Sequence, residues 1–243
     1  MFNKLPTPIS GLHVYRQFLE PKYADALQSK AVGLCQAILN QSSSAPSHRC
    51  QTFLSKYHNL KSDEYLRPIK IDDEPNGKIR GQYFERYGED GHTLTYFIGN
   101  RNIPRFLPNT LITRVLHLPE VMEITQNRLT EWNLTFNTYA TSKKCDSTLP
   151  GFDFHKDIES NGEVTLIYSI GSPAEFQIRH PETVEKICRI PLLHNTMVLL
   201  SNEARWDYEH KVVPNKISDD FSLLETEIES VRRMSLVLGF KKR

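Results

Sequence analysis

The sequence predicts an α+β fold in one domain, with helices first and then two facing sheets packed as a sandwich or jelly roll. Three observations predict it. Apolar residues recur at helical spacing in the first half, and after Trp132 the texture changes to β-branched and aromatic runs divided by Gly, Pro, Asn and Ser. A chain of 243 residues is also long enough to bury one large core.

The elements follow in order. From Pro21 to Leu39 the apolar positions Leu27, Ala31, Leu34 and Ile38 fall three or four apart behind a proline suited to a first turn, which predicts an amphipathic helix. The small polar stretch from Gln41 to Ser47 and the run KIDDEPNGK from Lys70 to Lys78 read as loops. A second helical region is expected from Pro108 to Trp132, broken at His117-Leu118-Pro119 because the residue before proline avoids the helix. VTLIYSI from Val164, EFQIRH from Glu175, TMVLLS from Thr196, WDYEHKVV from Trp206 and RRMSLVLGF from Arg232 read as strands. The chain is expected to be one domain over residues 1–243. Residues 1–132 would give helical support and a lid, and residues 133–243 the strand core.

Composition narrows the function classes. With 39% hydrophobic and 24% charged residues the balance is that of a globular protein, which excludes a disordered tail or a fibre. Lys+Arg 30 against Asp+Glu 29 leaves a net charge of +1, so nucleic-acid contact would need a local basic patch. The terminal Lys241, Lys242 and Arg243 read as a solubilising tail. No apolar run approaches the roughly 20 residues of a bilayer span, and MFNKLPTPIS lacks a signal-peptide core, so an intracellular protein, cytoplasmic or nuclear, is expected. Cys35, Cys50, Cys145 and Cys188 show no CxxC spacing, against a zinc ribbon or disulfide framework.

The chemistry starts from Phe154-His155-Lys156-Asp157-Ile158. Residues two apart on a strand point to one side, so His155 and Asp157 can grip one metal ion. A non-haem iron(II) site needs two imidazoles and one carboxylate, with the remaining positions open. His210, on the later strand-like run, is the candidate second imidazole. A rival pair, His180 and Glu182, is divided by Pro181, which would distort a strand. A dicarboxylate co-substrate further requires a cation, and planar carboxylate recognition favours arginine. In the last run Met234, Leu236, Leu238 and Phe240 share one face while Arg233, Ser235 and Val237 share the other, so alternation selects Arg233 over Arg232.

These residues resemble the AlkB-like iron(II) and 2-oxoglutarate dioxygenases, which remove alkyl groups from nucleic acids or hydroxylate related targets. The resemblance covers most of the chain. GLHVYRQFLEPKYADALQSKA looks like the family's opening strand, turn and helix, and KIRGQYFERYGEDGHTLTYFIGN looks like the substrate lid of the nucleic-acid repair members. The NxY motif stands as Asn137-Thr138-Tyr139. SIGSPAEFQIRH carries the long SxGxPAxFQ string, and SNEARWDYEHKVVP looks like the strand of the distal iron histidine, with Arg205 in the family's usual arginine position.

The resemblance implies a double-stranded β-helix, Fe(II) held by His155, Asp157 and His210, and 2-oxoglutarate held by Arg233, Asn137 and Tyr139, with Ser235 beside them. It implies dioxygen as the oxidant and alkylated DNA or RNA as partner. Arg80, Gln82, Tyr83, Phe84, Phe97 and Glu159 would meet the substrate, Phe97 stacking on a base for roughly 1 to 3 kcal/mol. The implied activity is oxidative demethylation of a base in nucleic-acid repair. The alternatives are a protein side chain or small molecule as substrate, or a binding module without catalysis. One departure stands out: the family's RxNxTxR is here Arg233, Ser235, Val237 and Gly239, so the second arginine is lost and Asn is shortened to Ser.

Overall fold

The computed structural model describes residues 3–42, 67–70, 78–85, 91–98, 109–125, 131–142, 151–157, 159–214, 222–225 and 229–241. Helix α1 (Pro21–Ser42) opens at the proline, and Leu27, Ala31 and Cys35, four apart, are fully buried. Helices α2 (Asn109–Leu116) and α3 (Pro119–Thr125) are separated where the proline requires. The helical stretch does not extend to Trp132, because strand β6 (Glu131–Ser142) begins one residue earlier. There Leu134 and Phe136 alternate along a strand rather than following a helical stripe. Of the two expected loops, residues 43–47 and 71–77 lie outside the described residues, and Gln41 and Ser42 close α1.

The remaining strands are β1 (Asn3–Leu5), β2 (Leu12–Arg16), β3 (Arg67–Lys70), β4 (Lys78–Glu85), β5 (Gly91–Ile98), β7 (Phe152–His155), β8 (Val164–Gly171) and β9 (Ala174–Arg179). They continue with β10 (Cys188–Leu192), β11 (Thr196–Leu200), β12 (Glu209–Pro214), β13 (Leu224–Glu225) and β14 (Glu229–Lys241). Trp206, expected at the start of a strand, instead ends a short helix, α4 (Asn202–Trp206), and β12 starts only at Glu209. The larger sheet runs β1-β2-β11-β8-β14-β6-β5-β4-β3 with β13 paired to β14, and the smaller runs β10-β9-β12-β7. Following the chain from β6 to β12 and then β14, the strands pass between the sheets so that β6, β8, β11 and β14 face β7, β9, β10 and β12. This interleaving of antiparallel strands is a jelly roll, a double-stranded β-helix.

Strand β14 divides the core in two. Met234, Leu236, Leu238 and Phe240 join an apolar cluster with α1, α2 and α3, which cover the outer side of the larger sheet. Val237 belongs instead to the cluster inside the roll, with Tyr139, Ile167, Phe176, Ile178 and Val212. The alternation read from the sequence is therefore the division between helix-facing and interior residues. Buried Asn195 locks α1 to the roll: its side chain accepts from the Leu19 N–H (2.8 Å) and the Tyr168 hydroxyl (2.9 Å) and donates to the Leu19 carbonyl (2.8 Å). Among the described residues no helix is long and apolar enough to cross a membrane, and Cys35 and Cys188 are free thiols.

Candidate metal centre

His155 ends β7 and Asp157 lies just beyond it, while His210 is the second residue of β12. Because β7 and β12 are paired, His210 is the direct cross-strand partner of His155. Their rings lie 4.3 Å apart, and Asp157 Oδ1 is 3.8 Å from His155 Nε2 and 3.7 Å from His210 Nε2. All three ligand atoms fall within 4.8 Å of one another, and among the described residues no other group of His, Cys, Asp or Glu side chains meets this condition. His180 and Glu182 do not compete: the Glu182 N–H donates to His180 Nδ1 (3.3 Å), and the ring lies edge-on to Tyr208.

Each donor is prepared for a cation. His155 Nδ1 lies 2.6 Å from the Asp153 carbonyl, which only accepts, so Nδ1 carries the proton and Nε2 presents its lone pair toward Asp157. Burial, reinforced by neighbouring His155, pushes the His210 pKa down to about 3 against the pull of Asp157, so this imidazole is neutral near pH 7. Phe176, from the SxGxPAxFQ string, stacks on it with centroids 5.3 Å apart. Asp157 Oδ2 is buried and has no hydrogen-bond partner, which is costly for a carboxylate unless a cation completes it. Two imidazoles and one carboxylate with an orphaned oxygen fit a divalent transition metal.

Arg233 lies on the interior face of β14, 3% exposed, with Tyr139 as its register partner on β6 and Gly171 on β8. Its guanidinium covers the Tyr139 ring at 4.4 Å and donates Nη2 to Ser169 Oγ (3.4 Å), while Nε and Nη1 have no partner. Around it, Asn137 Nδ2 donates to Ser235 Oγ (3.2 Å), and the Tyr139 hydroxyl lies 3.5 Å from the same oxygen. The interior of the roll thus carries an incompletely paired buried cation, fitting the carboxylate of a small acid. The sequence gives Ser169 no site role of its own, although its place as the first residue of the SxGxPAxFQ string is the available signal.

Gly239 stands where a side chain has no room. A Cβ at Gly239 would lie 2.3 Å from the backbone oxygen of Asn161, so the tight turn at Glu159–Asn161 occupies the space a side chain would need. Gly171, the glycine of the SxGxPAxFQ string, adopts φ +87° where β8 turns into β9.

Glu159 is exposed in the turn after Asp157. Arg80, Gln82, Tyr83 and Phe84 lie on β4 and Phe97 on β5, the strands that extend the larger sheet beyond β6. Arg80 is the register partner of Phe97, and Gln82 that of Thr95. Of the lid string KIRGQYFERYGEDGHTLTYFIGN, residues 86–90 and 99–100 are outside the described residues.

No protein-family model matches the chain, and no curated protein matches it. Among solved structures it is similar to a Pseudomonas putida prolyl-4-hydroxylase, with a TM-score of 0.43 and 11% identity over 96% of this chain and 93% of that one. It is also similar to OsALKBH1, with a TM-score of 0.47 and 12% identity over 98% of this chain and 100% of that one. At these scores the likeness bears on neither substrate nor cofactor, and the jelly roll stands on its own strand order.

Proposed function

We propose that the chain is an iron(II)- and 2-oxoglutarate-dependent dioxygenase that oxidatively demethylates alkylated nucleic-acid bases. The observation that carries the oxygenase reading is the pairing of two unfinished sites in one roll. One is the His155, Asp157 and His210 cluster with its orphaned carboxylate oxygen, and the other is Arg233 with two unpartnered nitrogens. Bound iron(II), with 2-oxoglutarate and dioxygen, supplies the oxidation of a substrate C–H bond. The neutral His210 and the oriented His155 offer lone pairs, and Asp157 balances part of the charge. Arg233 neutralises the distal carboxylate of 2-oxoglutarate, while Tyr139, Asn137 and Ser235 line its approach and the apolar interior excludes water.

The base-demethylase reading rests on the sequence resemblance of residues 78–100 and of the SxGxPAxFQ string to the repair members. In it Arg80, Gln82, Tyr83, Phe84, Phe97 and Glu159 are the substrate contacts, and the target base is flipped out to reach the metal. An N-methyl group, dioxygen and 2-oxoglutarate would give N-hydroxymethyl, succinate and carbon dioxide. The hydroxymethyl then releases formaldehyde and leaves N–H. Incubation with methylated DNA and RNA oligonucleotides is expected to release formaldehyde and succinate, with both lost in His155→Ala. No turnover on any methylated oligonucleotide would count against the base substrate. Succinate formation with protein or small-molecule acceptors would then select the second reading, which the glycine at position 239 and the charge of +1 favour. That reading also expects no DNA affinity even at low salt.

A further inference from the structure

The segment after His155 is tied to α4 by three hydrogen bonds. Arg205, 2% exposed, donates Nη1 to the Asp157 carbonyl (3.1 Å) and Nε to the Gly162 carbonyl (3.0 Å). One guanidinium therefore grips both ends of the connection that carries the carboxylate, and its planar fork serves two acceptors in a fixed geometry that a lysine head does not reproduce. In the opposite direction Lys156 Nζ donates to the Trp206 carbonyl (2.8 Å). The opposite flank of the connection is closed by β14, where Gly239 admits the Asn161 backbone and the Glu163 N–H donates to the Phe240 carbonyl (2.9 Å). Helix α4 leads directly toward His210 on β12, so the tie joins the approaches to two of the three metal-facing side chains.

We infer that Arg205 is a positioning residue of the metal centre, fixing the Asp157 carboxylate through its own backbone and coupling it to His210. The inference rests on the metal-centre reading above. A carboxylate on an unpinned connection would sample several orientations, and outer groups that orient ligands are typically worth 10- to 100-fold in metal affinity.

The test is cobalt(II) titration of the full chain by calorimetry, with the visible spectrum of the cobalt form, for wild type, Arg205→Gln, Arg205→Lys and His155→Ala. The thermal midpoint of each metal-free protein establishes folding. Arg205→Gln is expected to weaken cobalt(II) binding by about 10- to 100-fold and to alter the visible band, with Arg205→Lys intermediate. Should Arg205→Gln fail to fold, Arg205→Lys, which keeps the charge and the buried stem, carries the test. Folded Arg205 variants with wild-type affinity and spectrum would overturn the inference alone. Wild type without cobalt(II) binding, or His155→Ala binding equally well, would overturn the metal centre and this inference with it.

Discussion

The two faces of β14 show how one strand divides stability from chemistry. On the helix side Met234, Leu236, Leu238 and Phe240 join a continuous apolar cluster with α1, α2 and α3. On the interior side Arg233 and Ser235 are equally buried, yet two Arg233 nitrogens remain unpaired. The first face lowers the free energy of the fold. The second raises it locally, because buried donors without partners cost roughly 1 to 3 kcal/mol each. Covering one side of the larger sheet with α1, α2 and α3 is what leaves the other side free to carry an unsatisfied cation.

This contrast is broken most forcefully from the helix side. Phe136, the register partner of Leu236, is fully buried in the outer cluster, and Phe136→Ala is expected to cost about 3–5 kcal/mol in chemical denaturation. In whatever fraction stays folded, cobalt(II) affinity should be unchanged. The interior side responds in the reverse sense. Arg233→Met should weaken 2-oxoglutarate binding by about 2–5 kcal/mol in calorimetry while leaving the denaturation midpoint unchanged or higher, since the two unpaired donors it removes outweigh the one long hydrogen bond to Ser169 and the contact with the Tyr139 ring. A drop in stability comparable to that of Phe136→Ala would erase the distinction between the faces.

Gly239→Ala probes the same contrast where the strand meets the turn at Asn161. Its Cβ would press on the Asn161 backbone, and the expected cost is about 1–3 kcal/mol. Cobalt(II) affinity should fall with it, because the displaced turn adjoins Asp157.

The smallest effect concerns acid sensitivity. His194 accepts from the Gly171 N–H (3.3 Å), and burial holds its pKa below 6.5 against a partial pull from Asp25. The unfolded chain therefore binds more protons at that site as pH falls below about 6.5, and stability declines as pH drops through that region toward the folded-state value. Denaturation midpoints at pH 7.5 and 5.5 should differ less in His194→Gln than in wild type. An identical difference would remove His194 from the account.

Much of this arrangement was legible in the sequence because the relevant periods are short. Alternation along RRMSLVLGF separated Arg233 from Arg232, and HxD placed two donors side by side at a strand end. Leu27, Ala31 and Cys35 lie on the buried stripe of a helix that begins at the expected proline. What escaped depends on tertiary neighbours. A run of 25 residues from Pro108 was expected to end as helix, but β14 captures Glu131 to Ser142 by pairing along its length. Trp206 was expected on a strand, yet it turns through α4 with its carbonyl held by Lys156. In the sequence Gly239 is only a departure from the RxNxTxR pattern that the chain resembles. Only the turn at Asn161 explains why a side chain has no room there. The hold of Arg205 on two backbone carbonyls carries no sequence period at all.

The most direct test of the central claim is a crystal structure with manganese(II) and a non-reactive 2-oxoglutarate analogue. One ion is expected on His155 Nε2, Asp157 and His210 Nε2, with the distal carboxylate of the analogue on Arg233 Nε and Nη1. An ion bound elsewhere, or an analogue whose carboxylate leaves Arg233 untouched, would contradict that claim.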